Sequence, residues 1–255
     1  MKLFMVGMGI ANLGSMTLRG LEAVMESDEV FAELFTSLLE RDTISGLENK
    51  TGVKVNLLGR SQLEEEELII KSLEKGNDVC FLTAGDPLAA TTHQELRIDA
   101  EDMGAEVEIV NSSSIFTAAP GLAGLQQYKF GRTTTIPYPE GDYLPTSPAE
   151  VILENIKAGL HTLVLLDIQA HRGRYMSVRE GAGIILRMVE EAGLEGIGGS
   201  TKAVGVARVG RKDHRVIYCD LSSLKEIDLG GPPHCLMIPG SLHFMEEEIL
   251  ERYRI

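Results

Sequence analysis

The stretch 78-DVCFLTAGDPLAATTHQELRIDAEDMG-104 decides the fold. Asp78–Thr83 is a short apolar run without alternation, the pattern of a strand buried on both faces of a parallel sheet. Gly85 permits a sharp turn. Pro87 suits the first turn of a helix, where its missing N–H is not needed. Leu88–Met103 then reads as a helix, with Gly104 as its C-cap. Asp86 sits at the junction. It reads either as the N-cap of that helix or as a ligand-facing acid. Its charge beside a helix N-terminus would repel a phosphate and suit a cationic or hydrogen-donating group.

Outward from this unit the same alternation continues in both directions. Leu3–Val6 reads as a first strand ending in Gly7, and Thr17 caps a helix running to Met25. Glu29–Leu34 and Val53–Leu57 read as strands, and Leu63–Leu73 as one amphipathic helix with Glu64–Glu67 at its solvated start. Glu106–Val110 is a further strand. Strands alternating with helices predict a parallel sheet covered on both faces. After Val110 the texture changes to a Ser-, Ala- and Gly-rich segment. Strands at Arg132–Pro139, Leu163–Asp167, Lys202–Val209, Arg215–Cys219 and His234–Ile238 follow. Helices are predicted at Ser147–Lys157, Val178–Ala192 and Leu242–Leu250. The expected organisation is an α/β chain of two domains, residues 1–112 and 113–255.

Composition narrows the function classes. The 255 residues carry a net charge of −14, which argues against free-standing affinity for nucleic-acid backbones or anionic membranes. No apolar run approaches the ~20 residues of a membrane span, and MKLFMVGMGI does not read as a signal peptide. Cys80, Cys219 and Cys235 are far apart and read as small buried hydrophobes in a reducing, cytoplasmic setting. The histidines show no HxxxH, HxH or HExxH spacing, so no metal site is expected. His93 and His161 read as packing or surface residues. The basic clusters 171-HRGRY-175 and 208-RVGRKDHR-215 read as exposed loops or as a face for an acidic partner surface.

In an open parallel sheet, ligands bind outside the carboxyl ends of the strands. Three loops lie there: 7-GMGIANLG-14, 85-GDPLAATTH-93 and 111-NSSSIFTAAPG-121. The first has glycines at 7, 9 and 14, the wrong spacing for GxGxxG, and no Gly-Lys-Ser/Thr follows, so neither a dinucleotide fold nor a P-loop is indicated. The third offers hydroxyls at Ser112, Ser113 and Ser114, as a helix-capping cluster or as ligands for a carboxylate or ribose. No GxSxG nucleophile elbow occurs.

The segments 7-GMGI-10, 30-VFAELFTS-37, 85-GDPLAATTHQELR-97, 129-KFGRTTTIPYPEG-141, 160-LHTLVLLDI-168 and 232-PPHCLMIPGSLHFME-246 together resemble the diphthine synthase family, a branch of the tetrapyrrole-methylase fold class. The resemblance runs along essentially the whole chain. It implies two α/β domains, the N-terminal one with a mainly parallel sheet and the C-terminal one with a mixed sheet. S-adenosylmethionine is expected in the cleft between them, leaving as S-adenosylhomocysteine, in a homodimer. It also implies successive methylation of the amino group on a 3-amino-3-carboxypropyl histidine of elongation factor 2. The family's cofactor contacts map onto Ile10, Asp86, Ala89, Ser114, Ile115, Leu166, Val209 and His234. Ile10, Ala89 and Val209 replace other small or aliphatic residues, and 112-SSSI-115 lacks a proline often found there.

A sulfonium-borne methyl is already activated, so the protein's task is proximity and alignment. No catalytic residue is assigned; Glu33, Asp167 and His171 are candidates for removing a proton from the acceptor amine. Two rivals stand beside this reading: a methyltransferase of the same fold acting on a corrinoid precursor, and a metabolite-binding module without catalysis.

Overall fold

The computed structural model describes residues 1–255 apart from Thr36, Glu65, Glu66 and Asp142, and apart from the side chains of Arg60, Glu64 and His171. The chain divides into two compact units, Met1–Ile115 and Phe116–Ile255.

The first unit holds strands β1 (Lys2–Gly7), β2 (Glu29–Glu33), β3 (Val55–Leu58), β4 (Val79–Thr83) and β5 (Glu106–Val110). Their order is β3-β2-β4-β1-β5, and every pairing is parallel. All five residues of β4 are buried, as its unbroken apolar sequence predicts. Helices α1 (Leu18–Glu26), α2 (Thr43–Thr51), α3 (Arg60–Glu64), α4 (Leu68–Glu74) and α5 (Gln94–Asp102) accompany the sheet. Two separate apolar clusters result. One gathers Phe4, Val6, Val24 and Leu47; the other gathers Met5, Phe31, Ile69 and Phe81. Alternate residues of β1 fall into opposite clusters, so the sheet carries a core on each face.

The second unit begins within α6 (Ile115–Ala123). Its strands are β6 (Thr134–Ile136), β7 (Thr162–Leu166), β8 (Ile168–Gln169), β9 (Arg174–Tyr175), β10 (Lys202–Ala207), β11 (Arg215–Asp220) and β12 (His234–Ile238). The main sheet runs β11-β10-β12-β7-β6. It is mixed: β6 and β7 are parallel, the other pairs antiparallel. Its helices are α7 (Ser147–Lys157), α8 (Val178–Glu191), α9 (Leu221–Leu224) and α10 (Phe244–Glu251). Pro148 opens α7, and a Ser177–Glu180 capping box opens α8, satisfying N–H groups that a helix start leaves unpaired.

Three expectations are corrected. The helix predicted over Leu63–Leu73 is two helices, α3 and α4, with Glu67 before α4 in a left-handed conformation (φ 50°). Glu65 and Glu66 lie outside the described residues; Glu64 and Glu67, three apart in sequence, are a like-charge pair that disfavours a continuous helix. The helix predicted to start at Leu88 starts at Gln94. Side chains compete for its would-be first turns: Leu88 N–H donates to Asp86 Oδ1 (3.3 Å), and Thr91 Oγ1 donates to Pro87 O (3.5 Å). Ala90 then takes φ 56°. Last, the two basic clusters are exposed as expected at Arg172–Arg174 and Lys212–Arg215, and the exposed-loop reading fails only at Arg208 and Val209, which are buried. Arg174 lies in the β8–β9 hairpin with its guanidinium 3.8 Å from the Tyr138 ring centroid. Arg208 is buried and holds Leu229 O (2.9 Å) and the Asp213 carboxylate (2.7 Å).

Candidate active site

In the first unit the three loops predicted at the carboxyl ends of the strands are tied into one layer. β4, β1 and β5 are neighbours in the sheet, so the loops leaving them are adjacent. Met8 N–H donates to Thr83 O (2.8 Å), and Gly9 and Gly85 exchange backbone hydrogen bonds of 3.0 and 2.7 Å. Gly85 has φ 77°, a left-handed conformation that glycine adopts without the penalty an L side chain incurs. At Gly7 the backbones come too close for a side chain: a Cβ there would lie 2.4 Å from Gly85 O and 2.8 Å from Ser112 Cβ.

Asp86 is the latch between two of these loops. Its Oδ2 accepts from Asn111 Nδ2 (3.0 Å) and from Ser112 N–H (3.2 Å). Ser112 Oγ in turn donates to Ser15 O (3.0 Å) in the loop after β1. The N-cap alternative for Asp86 is therefore overturned: no helix begins beside it, and its carboxylate fastens the loop after β4 to the loop after β5. Ile10, Ala89 and Ser114 stand on these same loops and Ile115 opens α6 directly after them, each half-buried. Thr83, the last residue of β4, is fully buried, and its hydroxyl has no hydrogen-bond partner among the described residues. A buried hydroxyl left open costs roughly 1–3 kcal/mol. Next to it, the half-exposed carboxylate and the apolar surfaces of Ile10, Ala89 and Ile115 suit a ligand that is cationic at one end and flat and apolar at the other.

The second unit gathers the other three predicted residues at one end of its sheet. Leu166 ends β7, His234 begins β12 beside it, and Ala207 at the end of β10 pairs with His234, two residues before Val209. Leu166 and Val209 are buried. Both ring nitrogens of His234 are engaged: Nδ1 accepts from Val178 N–H (3.2 Å), and Nε2 donates to Gly231 O (2.9 Å). Burial pushes its pKa down, and this bonding fixes one neutral tautomer, so a ligand would meet its backbone or ring face.

Of the candidate bases, Glu33 is fully buried at the end of β2. Asp167 Oδ2 accepts from Tyr138 N–H and Gln169 Nε2, both at 3.1 Å. The His171 side chain lies outside the described residues. Among the described residues no group of three or more His, Cys, Asp or Glu is placed to hold a metal ion. No described helix is long and apolar enough to cross a membrane. All three cysteines are buried and free.

One polar cluster escapes sequence reasoning. Glu246, fully buried in α10, accepts from Gln126 N–H (2.8 Å), His243 N–H (2.8 Å), Lys129 Nζ (2.5 Å) and His161 Nε2 (3.0 Å). His161 Nδ1 accepts from Gly240 N–H (2.9 Å). Burial pushes the Glu246 carboxyl up. The His243 and Gln126 amides with Lys129 and His161 outweigh it and hold the group at about 2. The cluster is saturated and pins α10 to the segment before β6.

Residues 2–225 match the model of the tetrapyrrole (corrin/porphyrin) methylases. The chain belongs to that family. A tetrapyrrole methylase built this way is a methyltransferase, and its parallel first sheet with a mixed second sheet is the architecture of its solved relatives. The chain is 47% identical to a diphthine synthase of Methanothermobacter thermautotrophicus over 97% of this chain and 94% of that relative. It is 42% identical to a diphthine synthase of Methanococcus aeolicus over 98% and 96%. A crystal structure of diphthine synthase superimposes with a TM-score of 0.88 at 33% identity, covering 100% of this chain and 96% of the other.

Proposed function

We propose that this methyltransferase successively N-methylates the 3-amino-3-carboxypropyl histidine of elongation factor 2, a step in diphthamide biosynthesis. The observation that carries the reading is the 47% identity, along nearly the whole of both chains, to a protein named diphthine synthase. The reading includes S-adenosylmethionine as methyl donor, a homodimer, and a cytoplasmic setting.

When bound, the donor supplies an electrophilic methyl group on a sulfonium. The chain's own residues have the rest of the work. Asp86 holds the loops after β4 and β5 in register and offers negative charge to a cationic ligand. Ile10, Ala89 and Ile115 give apolar surface, and Ser114 a hydroxyl. Leu166, Val209 and His234 are the contacts proposed from the second unit. Fixed positioning of this kind is the main catalytic term for an already activated donor.

The test offers labelled S-adenosylmethionine with one of three acceptors: elongation factor 2 bearing the aminocarboxypropyl histidine, a corrinoid precursor, or none. Mass spectrometry then reads which acceptor gains methyl groups. Methylation of the modified histidine is expected. Transfer to the corrinoid alone would overturn the reading.

A further inference from the structure

A cavity of about 520 Å³ opens in the first unit, walled by the segment after β2, by α4 and α5, and by the segment after β4. Its size falls in the range of small-ligand sites, ~300–1,000 Å³. Phe35, Leu63, Ile69 and Leu96 give it apolar lining, and the charged residues among the described lining, Glu67, Glu95 and Asp99, are all carboxylates. All three are exposed. They leave the cavity negative at its solvated side.

Thr91, Thr92 and His93 also line it, and of these His93 is the buried one, only 6% exposed. Its ring sits edge-on to Phe81, with centroids 5.0 Å apart. Its Nδ1 lies 3.3 Å from Pro87 O. A carbonyl oxygen can only accept, so Nδ1 carries the hydrogen, and in the neutral ring Nε2 carries the lone pair. Nε2 has no hydrogen-bond partner among the described residues. A largely buried imidazole whose open acceptor is reached from the cavity, where the charges of the described lining residues are all negative, suits a positively charged group that donates N–H bonds.

The same loop carries the proposed cofactor contacts. Asp86 and Ala89 precede the left-handed residue Ala90 (φ 56°), and Ala90–His93 follow as cavity wall. A non-glycine residue held at positive φ is a costly feature that clusters at ligand sites.

We propose that this cavity receives the aliphatic amine of the methyl acceptor and that His93 Nε2 takes the proton that amine must lose. The proposal rests on the methyltransferase reading above. In the step, one N–H bond of the ammonium breaks and its electron pair stays on nitrogen as the lone pair needed for attack. The proton moves to Nε2, and the resulting imidazolium shares the cavity with Glu67, Glu95 and Asp99.

The test compares wild type, His93→Gln and the rim double variant Glu95→Gln/Asp99→Asn. Calorimetry reads S-adenosylmethionine affinity; methyl incorporation into elongation factor 2 bearing the aminocarboxypropyl histidine reads kcat and KM. His93→Gln is expected to keep cofactor affinity within twofold and to lose kcat by roughly 100-fold or more, the usual span of general-base catalysis. Free imidazole is expected to restore turnover to His93→Gly. The rim variant is expected to raise the acceptor KM about fivefold or more with kcat little changed. A kcat within threefold of wild type in His93→Gln would overturn the proposal. So would a tenfold loss of cofactor affinity there, since the cavity would then hold the cofactor's own ammonium. Should His93→Gln fail to fold, the rim variant decides, and an unchanged KM overturns the proposal. A wild-type protein that methylates no amine acceptor removes the functional reading itself; an active wild type with an active His93→Gln removes only the inference.

Discussion

Replacing Asp86 by alanine removes three hydrogen bonds at once: from Leu88 N–H at 3.3 Å, Asn111 Nδ2 at 3.0 Å and Ser112 N–H at 3.2 Å. A hydrogen bond to a charged group contributes roughly 1.5–3 kcal/mol, but this carboxylate is half-exposed, so about 1 kcal/mol each is the fitting scale. The loss of about 2–3 kcal/mol corresponds to a fall in Tm of roughly 5–10 °C for a chain of this size. Affinity suffers separately. Re-fixing one or two loop residues on binding costs about 1–3 kcal/mol, which raises Kd roughly 5- to 150-fold. Asp86→Asn separates the two effects, because its remaining carbonyl oxygen still accepts from backbone while the charge is gone. If the charge itself meets a cationic ligand, Asp86→Asn loses affinity as Asp86→Ala does but keeps most of the Tm. Calorimetry with S-adenosylmethionine and thermal unfolding on the same samples check this. A wild-type Kd in Asp86→Ala, whatever its Tm, would refute the cofactor role and leave the latch purely structural.

Gly7→Ala should damage the same site by another route. Its Cβ would sit 2.4 Å from the Gly85 carbonyl, so the loops after β1 and β4 must part; we expect a destabilisation of about 1–3 kcal/mol and weaker cofactor binding, and an unchanged melting curve would contradict the close approach. Glu246→Gln mimics the protonated carboxyl. The folded-state pKa of about 2 lies below the ordinary 4.5, so the stabilisation is present in full above about pH 4.5 and fades as the pH falls toward 2. Urea unfolding at pH 7 should show a deficit of roughly 3 kcal/mol for the variant, shrinking on acidification; a deficit independent of pH would show that the charge is not its source.

Legibility followed the range of the forces involved. The buried strands β4 and β12 lie where apolar runs put them, and Thr17 and Pro148 mark their helix starts, because each signal is local. Helix α2 has a local signal only at its end, where Gly52 closes it in a left-handed conformation; at its start Asp42 makes no capping bond. Its sequence TISGLENKT is poor in helix formers, and it is held by burying Thr43 and Leu47, a tertiary contribution that outweighs propensity. The Glu246 cluster joins residues 85 and 117 positions apart, which no spacing rule reaches.

Asp86 shows where local reading fails even when its residues are correctly singled out. Asp-Pro before an apolar stretch is a good helix start on its own. Its carboxylate instead finds Asn111 and Ser112, 25 and 26 residues on, because β5 lies against β1 and β1 against β4 at the same sheet end. The helix is then delayed to Gln94, and four of the six residues released from it, Ala90–His93, become wall of the cavity. The departure from the local rule and the candidate chemistry fall on one segment, as expected where the chain gives up regular structure to place side chains.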